Sequence, residues 1–338
     1  MPRFSILILN YDGRELLQSC LRSVREQTMT DFETLVVDNG SSDGSVDMLA
    51  STFPEVLTLP QDENTGFCRG NNIAFAAASG DLILLLNNDA DLHPRFLEEM
   101  SAAAELEPEM GMFASRVMMY DRRNVFDSTG LLVYPDGICR SRSWLEEDIG
   151  QYDEAVEVLG PNGCAAVYRR AMIDDVGLFD DRYFAYLEDL DLAMRGQLRG
   201  WHCRYVPGAV AYHKKSMTTG YHSASKAYLV ERNRIWNAAK LFPRRILAMS
   251  PFYTAARFAA QGYAYATGRG MSGGMGRDYG RFQLAGILCR AWLAALAGLP
   301  AVLADRRRIQ KNRRLGALAV YMLMRRYRLP VSELAFKD

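Results

Sequence analysis

The first 90 residues alternate short apolar runs with segments of helical periodicity. Short apolar runs are typical of strands that are covered on both faces. They predict four strands, at Phe4–Leu9, Glu33–Val37, Val56–Leu59 and Leu82–Leu86. Helical patterns with start signals lie between them, at Arg14–Gln27, Ser45–Phe53 and Asn71–Ala78. This alternation indicates a parallel, doubly wound α/β sheet.

The pattern becomes less regular after residue 110 and turns helical after Lys226. Three further strands are predicted at Ala165–Tyr168, Arg204–Val206 and Ala209–Tyr212, and two helices at Arg170–Val176 and Leu187–Arg199. Beyond Lys226 the chain is rich in Ala, Leu and Arg. We therefore expect an α/β domain over residues 1–235 and a helical C-terminal region over residues 236–338.

Composition excludes several classes of protein. With 338 residues, 49% of them hydrophobic, the chain can bury a full core, which excludes intrinsic disorder. Forty basic and forty acidic residues give no net charge that would draw the whole molecule onto nucleic acid. The six cysteines are scattered without a CxxC pair, which argues against a zinc module and a disulfide framework. The first apolar run is too short for a signal peptide, so we expect a cytoplasmic protein.

Polar residues follow three of the predicted strands directly. The first strand leads into Asn10–Gly13, the second into Asp38–Asp43 and the fourth into Asn87–Asp91. Each segment is also an ordinary turn sequence, because Asn, Asp, Gly and Ser are common turn formers. However, ligands of open parallel sheets bind at the carboxyl ends of the strands, and all three segments lie on that edge. The pattern favours a binding site there.

Two motifs at this edge suggest phosphate and metal chemistry. Asn64–Asn72 is a Gly-containing segment before a helix, which suits a phosphate group but also fits a plain helix-entry turn. Its spacing excludes the dinucleotide-binding fingerprint. Asp89 and Asp91 can hold Mg²⁺ or Mn²⁺ beside a nucleotide diphosphate. Alternatively, Asp91 caps the helix that starts near Pro94.

Together these motifs resemble the family 2 glycosyltransferases of the GT-A fold, especially their bacterial rhamnosyltransferase-like branch. The resemblance covers residues 3–235. It is carried by Asn10-Tyr11, Val37–Ser45, Asn64–Phe67, Gly70–Asn72, Asn88–Asp91, Gly177–Asp181, Tyr183–Leu192 and Tyr212-His213. It implies a Rossmann-like, mostly parallel sheet with helices on both faces, followed by the helical C-terminal region.

The resemblance also assigns the donor side of the site. The residues implied to bind the nucleotide sugar are Asn10, Asp38, Asn39, Gly66, Asn71, Asn88, Asp89 and Arg232. Asp89, Asp91 and His213 are implied to hold Mg²⁺ or Mn²⁺. A lone His at a strand end is also often a hydrogen-bonded structural residue, and a solvated helix face equally explains Arg232.

On the acceptor side, the resemblance implies that Asp189 is the general base. It would deprotonate an acceptor hydroxyl that attacks the anomeric carbon in line, so that a single displacement inverts the configuration. Glu188 is assigned to the same catalytic pair, and Glu188 and Asp191 to acceptor binding. All three lie at the start of a helical pattern, where the helix dipole favours their ionised forms and mutual repulsion opposes them. A solvated acidic helix start is the alternative.

The C-terminal region predicts contact with a membrane. The apolar segment Phe282–Ala304 contains Arg290 and Pro300, so we expect it to lie on a bilayer rather than to cross it. Between Asp305 and Arg328 lie nine basic residues against one acidic residue, a pattern that attracts anionic lipid. The alternative is a pair of helices packed on the core with a solvated basic face. Nucleic acid is disfavoured as a partner because aromatic and basic residues do not interleave.

These observations together predict a metal-dependent inverting glycosyltransferase at the cytoplasmic face of the bacterial inner membrane. It would be a peripheral protein that transfers a sugar from a nucleotide diphosphate to a glycan or lipid-linked acceptor in envelope polysaccharide synthesis. The first expectation for the donor is dTDP-rhamnose, and the second is a UDP-hexose. A non-catalytic protein that binds nucleotide sugars or glycans is the alternative, and homo-oligomers are left open.

Overall fold

The computed structural model describes residues 1–214, 223–268 and 279–337, and contacts divide the chain into two compact units. The first unit comprises Met1–Gly130, Ser141–Ala185 and Trp201–Thr218. The second comprises Leu131–Arg140, Tyr186–Gly200 and Thr219–Asp338. The functional division at residue 235 stays a prediction. Two segments before residue 235, Leu131–Arg140 and Tyr186–Gly200, belong to the second unit by their contacts.

Twelve strands occur in the described part of the chain. Numbered in chain order, they are β1 Phe4–Asn10, β2 Phe32–Asp38, β3 Leu57–Pro60, β4 Leu82–Asn87, β5 Ala90–Leu92, β6 Met110–Met119, β7 Phe126–Ser128, β8 Leu131–Val133, β9 Cys139–Ser141, β10 Glu157–Val158, β11 Ala165–Arg169 and β12 His202–His213. All except β8 and β9 join one sheet, whose main path runs β10-β12-β6-β11-β4-β1-β2-β3.

The half of this sheet that is built from β1 to β4 is parallel, as the apolar runs predict. β1 lies between β2 and β4, with Asn10 opposite Asp38 and Leu9 opposite Asn87. Beyond β4 the sheet is mixed, because β11 pairs antiparallel with both β4 and β6, whereas β12 and β6 are parallel. The two strands predicted around Pro207 are one strand, β12, with a register shift between Val206 and Val210. A bulge accommodates the proline within the strand.

Helices cover the faces of the first unit. They are α1 Arg14–Arg25, α2 Ser45–Thr52, α3 Gly66–Ala77, α4 Phe96–Leu106 and α5 Arg170–Val176, with a 3₁₀ turn at Asp181–Tyr183. α1 buries Leu17, Leu21 and Val24, which recur at the spacing of one helix face. They pack in the same core as Ile6 of β1 and Leu84 of β4. This core fixes the carboxyl ends of the parallel strands.

The second unit is mainly helical. It contains α6 Glu188–Leu198, α7 Ala224–Leu241, α8 Arg244–Ala266, α9 Arg281–Asn312, α10 Ala317–Arg326 and α11 Val331–Phe336, together with the β8–β9 pair. α9 packs closely against α7, where a side chain at Gly298 would lie 2.5 Å from the Trp236 ring. The Trp236 indole donates to the carbonyl of Ala295 at 3.0 Å, and Arg306 donates to the carbonyl of Ala239 at 2.8 Å.

The opposite side of α9 is apolar and exposed. Leu293 is 67% exposed and Leu296 is 59% exposed, and Leu303 continues the same stripe. Within the described residues, only the helix segment Phe282–Asn312 is long and apolar enough to cross a membrane. α9 thus combines a face that packs on α7 with a solvent-facing apolar stripe.

A buried cluster of charges joins the helices of the second unit. Arg257 of α8 contacts Asp136 at 2.7 Å and Glu231 of α7 at 3.0 Å. Arg234 pairs with Glu231, and Trp292 of α9 donates to Glu231 at 2.8 Å. Each buried charge therefore has an opposite charge beside it, as burial of ions requires.

Candidate active site

Three side chains join the carboxyl ends of β1, β2 and β4. The amide of Asn10 donates to Asp38 at 2.9 Å, and the amide of Asn88 donates to Asn10 at 2.8 Å. All three are buried. The structure therefore brings together residues that the sequence places 28 and 78 positions apart. Because their side chains bond one another, they form a rigid floor at this edge of the sheet.

Asn39 extends this network to the segment before α3. Its side-chain oxygen accepts from the hydroxyl of Thr65 at 2.8 Å, and its amide donates to Asn64 at 3.3 Å. Gly66 itself starts α3, five residues earlier than the sequence predicts. The Gly-containing segment therefore forms the first turns of a helix, where the amide of Gly66 donates to the side chain of Asn64 at 2.9 Å.

Gly66 is required sterically at the start of α3. Its φ is +82°, in the left-handed region that favours glycine, and an added Cβ would lie 2.5 Å from the ring of Phe184. Phe184 in turn accepts a hydrogen bond at its carbonyl from the amide of Cys68 at 3.0 Å. Glycine at position 66 therefore allows the close contact between the start of α3 and the Phe184 ring.

Asn71 and Asn72 have different roles. Asn71 is buried and donates within its own helix, to the carbonyl of Phe67 at 2.9 Å. Asn72 bonds the backbone of Phe179 in both directions, donating at 2.9 Å and accepting at 3.0 Å. Asn72 thus anchors the Gly177–Asp181 motif, whereas the predicted nucleotide contact of Asn71 stays a prediction.

His213, the last residue of β12, lies between the carboxylates of Asp89, which follows β4, and Asp127 of β7. Its Nε2 lies 3.2 Å from Asp89 Oδ1, and its Nδ1 lies 2.6 Å from Asp127 Oδ2. Burial lowers the pKa of His213, but its contacts with Cys164, Asp127 and Asp89 outweigh this and hold the pKa well above its ordinary value. Asp127 carries no sequence signal, because it lies 86 residues from its partner.

Asp91 lies in a different environment from Asp89. Its Oδ1 is 2.9 Å from Nζ of Lys214, and both of its oxygens accept from the hydroxyl of Ser19. Asp91 does not cap α4, which begins at Phe96 with Arg95 before it. The carboxylate of Asp91 is thus already neutralised by a cation of the protein itself.

This geometry can be compared with the requirements of a divalent metal for the three predicted ligands, Asp89, Asp91 and His213. Asp89 and His213 fit, because a carboxylate oxygen and an imidazole nitrogen lie side by side, and Mn²⁺ accepts both. The oxygens of Asp91 already contact Lys214 and Ser19, and its predicted role as a metal ligand stays a prediction. Within the described ranges, no group of three or more His, Cys, Asp or Glu side chains is arranged to hold a metal. A cation here would need further ligands from its substrate.

The acidic residues of the second unit follow a strained turn. Tyr186 and Leu187 have φ values of +71° and +66°, which non-glycine residues rarely adopt. Leu187 is the N-cap of α6, so Glu188 and Asp189 are its first helical residues. Such strain persists only where surrounding structure imposes it, and it is common at functional sites.

Glu188 and Asp189 differ in exposure and in charge. Glu188 is buried, and its Oε2 has no hydrogen-bond partner among the residues that the structure describes. Burial, with the neighbouring Asp189 and Asp191 carboxylates, raises the pKa of Glu188 to about 8. Asp189 is half-buried, and the thiol of Cys139 lies 3.6 Å from its Oδ1. Glu188 is therefore a neutral acid at pH 7 beside an accessible carboxylate.

Asp191 forms ion pairs with two cations inside the second unit. Lys240 of α7 lies 2.8 Å from its Oδ1, and Arg195 lies 2.8 Å from its Oδ2. Burial raises the pKa of Asp191, but these two cations more than compensate and lower it below its ordinary value. Each carboxylate oxygen thus has a cation beside it, and the predicted acceptor contact of Asp191 stays a prediction.

Arg232 is half-buried on α7. Its guanidinium stacks over Trp236 at 4.5 Å and Tyr228 at 5.5 Å, and its Nε donates to Asn233 at 2.9 Å. Arg232 therefore does not simply lie on a solvated face of the helix. Its predicted contact with a diphosphate stays a prediction.

Comparison with known proteins identifies the family. The model of the family "Glycosyl transferase family 2" matches residues 5–177, which include β1 to β4 and the ends of all three strands described above. The chain belongs to glycosyl transferase family 2. The fold resemblance inferred from the strand-end motifs is thereby confirmed.

Curated relatives of the chain include an L-rhamnosyltransferase and an O-antigen biosynthesis protein. The chain is 25% identical over 269 residues to the N-acetylglucosaminyl-diphospho-decaprenol L-rhamnosyltransferase of Mycobacterium tuberculosis, covering 70% of this chain and 87% of that protein. It is 26% identical over 209 residues to an O-antigen biosynthesis protein of Myxococcus xanthus, covering 59% of this chain and 16% of that protein.

Solved structures share the GT-A fold at low sequence identity. A mannosyltransferase of Pyrobaculum calidifontis in complex with GDP-Man and Mn²⁺ is 18% identical with a TM-score of 0.52, covering 92% of this chain and 87% of that one. GalNAc-T7 with UDP, GalNAc and Mn²⁺ is 12% identical with a TM-score of 0.61, covering 78% of this chain and 51% of that one. This family 2 member therefore has the GT-A fold.

Proposed function

We propose that this family 2 glycosyltransferase is an inverting, metal-dependent enzyme that transfers L-rhamnose from dTDP-rhamnose to a hydroxyl group of a lipid-linked glycan. The observation that carries the proposal is the pairing of the half-buried Asp189 carboxylate with the neutral, buried Glu188. The Mycobacterium tuberculosis relative, whose name specifies L-rhamnose and a diphospho-decaprenol acceptor, supports the choice of substrates.

The donor side rests on the floor formed by Asn10, Asp38 and Asn88. Buried polar side chains that bond one another hold a fixed shape, which suits the ribose and base of a nucleotide. Asp89 and His213 would hold Mg²⁺ or Mn²⁺ beside the diphosphate. The metal supplies charge stabilisation for the leaving diphosphate.

The base chemistry follows from the protonation states at the start of α6. Asp189 accepts the proton of the acceptor hydroxyl as its oxygen forms a bond to the anomeric carbon. The bond between that carbon and the diphosphate oxygen breaks at the same time, and the diphosphate leaves with the electron pair. Glu188 is protonated at neutral pH, so it does not compete for this proton and can donate a hydrogen bond to the acceptor. One displacement inverts the anomeric configuration.

The C-terminal helices support contact with a lipid surface. α9 exposes an apolar stripe that includes Leu293 and Leu296, and the exposed Arg307 and Arg308 follow near its end. An exposed apolar stripe beside arginines suits the surface of an anionic bilayer. The contacts of α9 with α7 favour a helix that lies on the membrane, because a spanning helix would draw the charged α7 into lipid. The enzyme would then work at the cytoplasmic face of the inner membrane.

The experiment is a transfer assay with defined donors. The purified protein is incubated with Mn²⁺, a short-chain prenyl-diphospho-N-acetylglucosamine and one of dTDP-rhamnose, UDP-glucose or GDP-mannose. We expect a product of added deoxyhexose mass with dTDP-rhamnose alone, and inverted anomeric configuration by NMR. Excess EDTA should abolish transfer, and added Mn²⁺ or Mg²⁺ should restore it.

The same assay separates the competing functions. Transfer from UDP-glucose instead would keep the enzyme class and replace the donor. Binding of dTDP without transfer or hydrolysis of any donor would replace the enzyme with a binding protein. A retained anomeric configuration would refute Asp189 as the base of a single displacement.

A further inference from the structure

The turn before α6 is strained at two consecutive residues. Tyr186 and Leu187 both adopt the left-handed conformation, and neither is Gly, Asn or Asp. Each would relax to an ordinary conformation unless contacts opposed it. Any relaxation would move Glu188 and Asp189, which directly follow the turn.

The opposing contacts come from one face of α7. The side-chain amide of Asn233 donates to the carbonyl of Tyr186 at 2.8 Å, and that of Asn237 donates to the carbonyl of Leu187 at 3.1 Å. Both asparagines have no exposed surface. Buried amides are costly unless they are hydrogen-bonded, so these two contacts are strongly constrained.

A third residue extends the same face of α7. Lys240 pairs with Asp191 one turn into α6, at 2.8 Å. Positions 233, 237 and 240 follow the spacing of one helix face. α7 therefore holds the start of α6 at three successive points.

We propose that Asn233 and Asn237 are positioning residues, whose amides fix the left-handed turn at Tyr186 and Leu187 and thereby the place of the Asp189 carboxylate. This inference rests on the proposed function, in which Asp189 is the base. Asn237 has the more direct effect, because Leu187 is the N-cap of α6 and its carbonyl also accepts the amide of Asp191 at 3.2 Å.

The experiment removes the amide and then removes the strain that it opposes. We expect Asn237→Ala to lower kcat by roughly 10- to 100-fold, the effect of releasing one strained residue, with the KM for the donor little changed. Adding Leu187→Gly should restore most of kcat, because glycine adopts the left-handed conformation without strain. The matched control is Asn237→Ala with Leu187→Ala, which loses nearly the same side chain but keeps the strain, and should not be restored.

A second readout needs no substrate. Cys139 lies 3.6 Å from Asp189, and Cys289 is an exposed cysteine on α9. In a Cys289→Ser background, we expect Asn237→Ala to speed alkylation of Cys139 by iodoacetamide, because the carboxylate that opposes thiolate formation moves away. Leu187→Gly should reverse the change. If Asn237→Ala does not fold, Asn237→Gln, which displaces the amide by one methylene, is taken through the same series.

The outcomes separate this inference from the proposed function. If Asn237→Ala keeps wild-type kcat, or if Leu187→Gly and Leu187→Ala restore it equally, the positioning role is overturned. If Asp189→Asn is fully active in the same assay, the base assignment fails, and the alkylation series alone then decides whether α7 positions the turn.

Discussion

Nζ of Lys214 lies 2.9 Å from Oδ1 of Asp91, while Oδ1 of Asp89 lies 3.2 Å from the imidazole of His213. Asp89 and Asp91 look equivalent in the sequence motif, but their side chains have different partners. Asp91 has a fixed ammonium and a hydroxyl beside it, and Asp89 has a histidine that a metal can share. Removing the Asp89 carboxylate and removing the Asp91 carboxylate should therefore have different effects on the protein.

Asp91→Asn should destabilise the fold and leave metal binding intact. It removes the partner of a mostly buried ammonium, so we expect the free energy of unfolding to fall by about 1–3 kcal/mol in urea titrations. The Mn²⁺-dependent affinity for dTDP, measured by calorimetry with and without EDTA, should stay within about threefold of wild type, less than 1 kcal/mol. Asp89→Asn should lose the metal-dependent part of that affinity. Equal loss in both variants would support the predicted role of Asp91 as a metal ligand.

Asp189→Asn should abolish most turnover without weakening donor binding. The amide keeps the shape of the side chain but cannot accept a proton, so kcat should fall by roughly 10²- to 10⁴-fold. The control is Glu188→Gln, which mimics the neutral form of Glu188 and should retain much more activity. A dead Glu188→Gln beside an active Asp189→Asn would move the base to Glu188.

Glu188 should make the protein less stable as the pH rises. Its pKa is raised from 4.5 to about 8 in the folded state, so between these values the folded protein holds a proton that the unfolded chain has lost. Stability contributed by this proton is complete below about pH 4.5 and is lost up to about pH 8, at no more than about 1.4 kcal/mol per pH unit. Glu188→Gln should therefore gain stability over wild type progressively from pH 5 to pH 8. An unchanged difference across this range, measured by urea denaturation, would place the Glu188 pKa near its ordinary value.

Gly66→Ala should destabilise the first unit. The new methyl group would meet the Phe184 ring, and the left-handed backbone adds strain, so a loss of about 2–4 kcal/mol is expected in urea denaturation. Gly262→Ala is the matched control, because nothing lies within 4 Å of its Cβ position. That substitution in a helix should be neutral or stabilising. Adding Phe184→Ala to Gly66→Ala should recover the steric part of the loss only.

The protein should bind anionic vesicles through α9. Flotation with phosphatidylglycerol vesicles should weaken with salt and retain a salt-resistant part, since arginines contribute on the order of 1 kcal/mol each near the surface. Leu293→Ser with Leu296→Ser should remove the salt-resistant part, and Arg307→Ala with Arg308→Ala should reduce the salt-sensitive part. Leu106→Ser, at another exposed leucine, is the control. Unchanged flotation in both double variants would leave α9 without a membrane role.

Local sequence patterns predicted the edge of the sheet well. The apolar runs placed β1, β2 and β4 to within one residue of their observed ends, and the location of Asn10, Asp38 and Asn88 at this edge follows from that placement. The start of α3 was placed too late, because Gly66 is typical of a loop. Its glycine is instead required by the Phe184 ring, a contact 118 positions away along the chain that no local pattern contains.

The partners of the charged residues could not be predicted in the same way. Lys214 and Asp91 are 123 residues apart, and Asp127 and His213 are 86 apart. Which carboxylate receives an ammonium depends on the pairing of β5 with β12, where Asp91 lies opposite Tyr212. Likewise, the Asn233–Asn237–Lys240 spacing is visible in the sequence, but its target at Leu187 depends on how α6 and α7 pack.

α7 contacts both α9 and the start of α6. Trp236 and Ala239 bind α9, while Asn233, Asn237 and Lys240 bind the start of α6. A helix is stiff along its axis, so a displacement of α9 that moved α7 would also move the contacts of α7 with Tyr186 and Leu187. If a bilayer binds α9 and changes its packing on α7, then membrane binding and the conformation of the acidic turn would be thermodynamically coupled.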